Sequence, residues 1–137
     1  MGLNVDFILA PEVEDAHPES DIRSVLWNLE PLDALANEGG VTSLGEFGLA
    51  YDEDDDEEGV EDDDRVLFCS KEGIKTIEYL LATLRSKPKD KKERARLEKV
   101  IKSLEEGPEF LLVELEELLQ CLKTAAKKKA KFRFILV

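Results

Sequence analysis

Between residues 52 and 64 the chain reads DEDDDEEGVEDDD, and 11 of those 13 residues are acidic. Carboxylates at that density can hold a cation or meet a basic surface, and the two uses make different demands on spacing. Counted from Asp54, the run places Asp54, Asp56, Glu58 and Gly59 where the first half of an EF-hand calcium loop needs oxygen ligands and a turn glycine. The second half fails. Glu61 stands at the eighth position, which is normally apolar, and Arg65 stands at the twelfth, where a bidentate carboxylate closes the cage. No metal site is therefore assigned. A block of like charges repels itself and buries nothing, so the run is expected to be a solvated loop that can order against a basic surface. The residues expected to meet a partner are Asp52, Asp54, Asp55, Asp56, Glu57, Glu58, Asp62 and Asp63, with Trp27 and Tyr51 as aromatic anchors beside loops.

Other reactive groups are sparse. His17 is the single histidine, and Glu14, Asp15 and Glu19 are the neighbours with which it would form a surface metal site; an ordinary exposed imidazole is the simpler expectation. Cys69 ends an apolar stretch and Cys121 borders another, so both read as small core residues. Two cysteines without CxxC spacing make neither a disulfide framework nor a redox motif. No GxSxG, HExxH, P-loop or GxGxxG pattern occurs, so no catalytic residue and no cofactor is assigned.

The net charge of −13 conceals segregation. Up to Ser70 the chain has 2 basic and 21 acidic residues; beyond it, 17 basic and 11 acidic. Removing the eleven charges of the acidic run leaves a body near −2. Nine basic residues lie between Arg85 and Lys102, and Lys123, Lys127, Lys128, Lys129, Lys131 and Arg133 gather near the C-terminus. The first cluster alternates with Glu93, Glu98 and Glu105 and has no aromatic residues for base stacking, so nucleic acid is not the expected partner. A 13-residue flexible segment spans roughly 20 Å, enough for the acidic run to reach the basic helix around residues 91–102.

These residues need a scaffold, and 137 residues with 42% hydrophobic content are enough for one domain with one core. Residues 3–10 alternate Leu3, Val5, Phe7 and Leu9, the period of a half-buried strand. Residues 11–20 read as a loop, residues 21–27 as a short helix, and Pro31 as the first residue of another that Gly39-Gly40 ends. A turn from Ser43 through Phe47 and a strand over 48–51 precede the acidic run, and residues 65–69 form a buried strand after it. Three long helices follow. One runs from a Ser70 cap to Arg85, with Ile74, Ile77, Leu80, Leu81 and Leu84 inward. The next starts at an Asp90/Glu93 capping box and turns Leu97, Val100, Ile101 and Leu104 inward. The third, about residues 109–128, carries a broad stripe that includes Phe110, Leu111, Val113, Leu115, Leu118 and Leu122, and should be central. Residues 131–137 form a terminal strand too apolar for an edge, expected inside the sheet beside the first strand.

The expected fold is α+β: a small mixed sheet of about four strands, including both terminal ones, covered on one face by three long helices. No apolar run is long enough to cross a bilayer, and the opening residues lack a basic signal region and place Asp6 where a myristoylation signal needs Ser or Thr. A cytoplasmic, non-membrane protein is expected. In function, the composition points to a non-enzymatic acidic interaction module that binds or neutralises a basic protein partner, as an antidote protein does. The alternative is a module responsive to divalent metal or to polyanions and regulated by the acidic loop, and an unrecognised enzyme stands third.

Overall fold

The computed structural model describes residues 5–48, 67–105 and 107–136. Alternation builds its sheet. Three strands, β1 (Val5–Ala10), β2 (Phe68–Cys69) and β3 (Lys131–Leu136), pair in the order β1-β3-β2. β1 buries Val5, Phe7 and Leu9 and turns Asp6 and Ile8 to the other side, while β3 buries Phe132 and Phe134. Antiparallel pairing sets Phe7 opposite Phe134 and Leu9 opposite Phe132, and on the far edge Phe68 opposite Phe132. The C-terminal strand is therefore central and lies beside the first, as its apolar content requires.

Two features of the expected sheet are corrected. Among the described residues it has three strands rather than four, and all pairings are antiparallel rather than mixed. Of the strand expected over 48–51 only Gly48 is described, with a left-handed backbone (φ 105°) and room for no side chain, since a Cβ there would lie 2.7 Å from the Phe134 carbonyl oxygen; residues 49–51 lie outside the described residues. Tyr51 and the acidic run, including Asp52, Asp54, Asp55, Asp56, Glu57, Glu58, Asp62 and Asp63, lie outside the described residues. Among the described residues the strand after the run pairs over Phe68 and Cys69, and Cys69 is exposed rather than buried.

Among the described residues five α-helices complete the fold: α1 (Ser24–Trp27), α2 (Leu29–Glu38), α3 (Ser70–Arg85), α4 (Lys91–Ser103) and α5 (Pro108–Lys127). α5 is the spine. Leu111, Leu115, Leu118 and Leu122 recur at helical spacing and are fully buried, packed with Ile77 and Leu80 of α3 in one core. α3 reaches the sheet closely because Gly73 has no side chain: a Cβ there would sit 2.6 Å from the Phe132 ring and 2.9 Å from Leu122. Beneath it Phe7, Phe47, Phe68, Phe132 and Phe134 meet edge-on or tilted, with neighbouring centroids 5.1–6.3 Å apart.

Helix ends are fixed by partners of several kinds. Asp90 caps α4 as expected, its carboxylate accepting from the Lys92 amide at 3.0 Å. Ser70 is not a cap; it is the first residue of α3, and its hydroxyl donates to the Ala130 carbonyl at 2.6 Å. α2 begins at Leu29, two residues before Pro31, and α1 begins at Ser24 rather than Asp21. α5 closes in a left-handed turn at Lys129 (φ 57°), with the Lys129 amide donating to Ala126 and the Ala130 amide to Ala125, a Schellman arrangement.

α4 departs from expectation most. Leu97, Val100 and Ile101 are only half-buried, and the helix has no buried residue; burial resumes at Leu104, just past its end. Within α5, Phe110 and Val113 do not join the core stripe but face outward. No described helix is long and apolar enough to cross a membrane.

Candidate functional site

Among the described residues the exposed large apolar side chains are Trp27, Phe110 and Val113, at 47%, 61% and 66% exposure. The hydrogen bonds around α1 set how Trp27 lies relative to the first turns of α5, which carry Phe110 and Val113. Glu114 of α5 accepts from the Ser24 and Val25 amides, both at 3.1 Å, and so caps α1 from across the core. Three residues later the chain meets the segment that leads from α4 to α5: Asn28, fully buried, accepts from the Glu105 amide at 2.7 Å and donates to the Ser24 carbonyl at 2.9 Å. α1 therefore runs backward along the first turns of α5. Phe110 is one turn before Glu114 on the same flank of that helix, and Trp27 is the last residue of α1, which places it toward the Phe110 end of α5.

A groove of about 540 Å³ opens beside Trp27, between α2 and α4. Pro31, Ala34, Leu35 and Val100 form its apolar floor and wall, and Glu30 and Glu105 stand on its rim. Arg96 and Lys99 contribute positive charge from α4, but Arg96 is already paired with Glu38. A second cleft of about 230 Å³ lies on the other flank of α4, and Leu35, Glu38, Arg96 and Val100 line both. α4 thus rests on α2 along a single ridge.

Charge around this end is one-sided. Residues 5–48 contain ten carboxylates and one basic residue, Arg23, which binds Asp21. Glu12, Glu14, Asp15, Glu19, Asp21 and Glu30 are all exposed. The loop after β1 is tied down by acidic side chains too: Glu117 accepts from the Glu19 and Ser20 amides at 2.9 and 3.1 Å.

His17 is not grouped with Glu14, Asp15 and Glu19. Its ring lies between Asp6 of β1, 2.6 Å from Nδ1, and Glu12, which meets Nε2. Burial opposes the charged ring, but hydrogen bonds and charge from Glu12 and Asp6 outweigh it, and the pKa is raised above 6.5. Two carboxylates on opposite edges of one imidazole suit an imidazolium donating twice, a structural clamp from strand to loop. Among the described residues no group of three His, Cys, Asp or Glu side chains is placed to hold a metal ion. Cys121 is buried beside the same carboxylates; burial first, then the charges of Glu117, Asp6 and Glu19, push its thiol up to about 12. It stays protonated and weakly nucleophilic at neutral pH.

Of the residues singled out from sequence, Trp27 takes an exposed place at a groove, and Phe47, at the end of the turn from Ser43, is wholly buried. Phe110 and Val113 were missed because they were counted into the apolar stripe. Their helical angles carry the signal: they fall roughly 110° and 170° from the line of Leu111, Leu115, Leu118 and Leu122 at 100° per residue. Comparison with known proteins finds no matching family model, no similar curated protein and no similar solved structure.

Proposed function

We propose that this protein is a non-enzymatic interaction module that binds a basic protein partner through the end formed by α1 and the start of α5. The observation that supports it is Trp27, exposed at a groove with Glu30 and Glu105 on its rim, together with Phe110 and Val113, exposed on the first turns of the α5 helix along which α1 runs: apolar side chains for burial, and carboxylates that select the sign of the partner. The occupant is a basic amphipathic segment. Its apolar side covers Trp27 and enters the groove, and its cationic side meets Glu30, Glu105 and the carboxylates of the preceding loop. The carboxylates of residues 52–64 add long-range attraction that speeds encounter and weakens with salt.

Trp27 is the single tryptophan, so its emission reports the site directly. A synthetic Lys/Leu amphipathic helix should shift that emission to the blue and saturate, with affinity falling as salt rises, and a Glu/Leu peptide of the same pattern should not. Phe110→Ala with Val113→Ala should weaken binding about tenfold or more, since each removes an apolar anchor without touching the core. Equal responses to the basic and acidic peptides, or no change in the double variant, would remove the reading. Capture from the native host with and without residues 52–64 then identifies the partner, which should be basic and salt-sensitive.

A further inference from the structure

A second concave site lies at the other end of α5, and its charge is of opposite sign. A cavity of about 360 Å³ is lined by Cys69, Ser70 and Lys71 at the start of α3 and by Lys127, Lys129 and Lys131 across the α5–β3 junction. Phe110 and Lys127 are 17 residues apart on one helix, so the two ends are separated by roughly 25 Å at 1.5 Å per residue. We infer that this cavity binds a small polyphosphorylated anion.

The cavity is lined by four lysines, Lys71 of α3, Lys127 of α5, Lys129 of the turn and Lys131 of β3, and among the described residues no carboxylate is paired with any of them. Lysine meets phosphate as a mobile point charge, and several around one hollow can divide a polyphosphate between them. The first turn of α3 also borders the cavity, and its amides have no side-chain cap, so the positive end of a 16-residue helix adds to the lysine field. Lys129 is the one described non-glycine residue with positive φ. At that position of a Schellman turn glycine is the favoured residue; here a lysine that lines the cavity stands there at the cost of a strained backbone.

Size and surroundings choose between anions. A volume of about 360 Å³ suits a small ligand, and the exposed lining offers no aromatic ring on which a base could stack.

Calorimetric titration of the full chain with inorganic tripolyphosphate at about 50 mM salt tests the assignment. Saturable one-to-one binding is expected, with amide shifts by NMR centred on residues 70–73 and 127–131. The variant Lys127→Glu/Lys129→Glu/Lys131→Glu should lose affinity about a hundredfold. Lys129→Gly should lose about threefold to tenfold with the fold intact, since glycine suits the backbone there. A control with the same charge change in α4, Lys91→Glu/Lys92→Glu/Lys102→Glu, should bind nearly as the parent does. Three results would overturn the inference: no saturable binding, equal loss in the α4 control, or tighter binding of a 20-nucleotide single strand than of tripolyphosphate.

Discussion

α4 and α5 carry the same kind of sequence pattern and meet different fates. Both repeat apolar residues at helical spacing, yet α5 buries Leu111, Leu115, Leu118, Leu119 and Leu122 while α4 buries nothing along its length. The difference lies in what surrounds each helix. α5 meets α3 on one flank, the sheet at its C-terminal end and α1 with its preceding loop on the other, whereas α4 rests on α2 along one ridge with a cleft on each side. Amphipathicity states that a helix has an apolar face; how much of that face is covered depends on neighbours the helix does not encode.

The largest test of this contrast is truncation in the better-covered helix. Leu115 is fully buried, so Leu115→Ala loses its packing and leaves a cavity, and should cost about 3 kcal/mol in chemical denaturation. Leu97→Ala in α4, at a half-buried position, should cost less than about 1 kcal/mol. Equal losses at the two positions would mean that α4 is packed as tightly as α5.

Much of this fold is legible because it rests on local periodicity. Val5, Phe7 and Leu9 announce β1, Phe132 and Phe134 announce β3, and the Leu111–Leu122 spacing announces the spine. The limits are physical as well. Among the described residues β2 is Phe68 and Cys69, and its place on the edge of β3 is set by pairing with Phe132 and Lys131, partners more than 60 residues away. The cap that Glu114 provides to α1 bridges 90 residues of sequence, and the tie from Asn28 to Glu105 bridges 77; no window of local pattern contains either. The candidate site follows the same division. Trp27 was visible as an aromatic beside loops, but its placement toward the Phe110 end of α5 depends on the antiparallel course of α1 along α5, which those distant hydrogen bonds impose.

Asn28 is therefore the next place to separate the two helices. Its side chain bonds the Ser24 carbonyl, the Glu105 amide and, at 3.4 Å, the Glu105 carbonyl, joining α1 to the segment that connects α4 and α5. Asn28→Ala leaves the buried side of that junction unpaired and should cost about 2 kcal/mol. Limited proteolysis should then cut first between residues 86 and 107, well before any cut within α5. Cleavage in α5 at a comparable rate would show one cooperative unit and dissolve the contrast.

A smaller effect concerns the loop that covers the outer flank of α5. His17 clamps that loop to β1 through Asp6 and Glu12, and its pKa in the fold is raised. A group whose pKa rises on folding stabilises the protein fully below its unfolded pKa near 6.5, and the contribution is lost as pH climbs through the folded value. His17→Ala should thus cost about 1 kcal/mol at pH 5.5 and markedly less at pH 8.5. NMR titration of the ring should give a midpoint above 6.5; a midpoint at or below 6.5 would mean that the two carboxylates do not hold the charged form.

The smallest expected effect is the most direct measure of how α4 is held. Arg96 pairs with Glu38 at the ridge shared by the two clefts, but both side chains are about half exposed, at 63% and 47%, and water screens the pair. Exposed ion pairs commonly contribute about 0 to 1 kcal/mol, and the lower half of that range fits a pair standing beside open grooves. Arg96→Ala should therefore change stability by about 0.5 kcal/mol or less, with the difference vanishing in high salt. A loss that persists in salt would point to the guanidinium stem packing on Leu35 and Val100 as part of the hold. α4 would then belong to the core by its long polar side chains rather than by its apolar face.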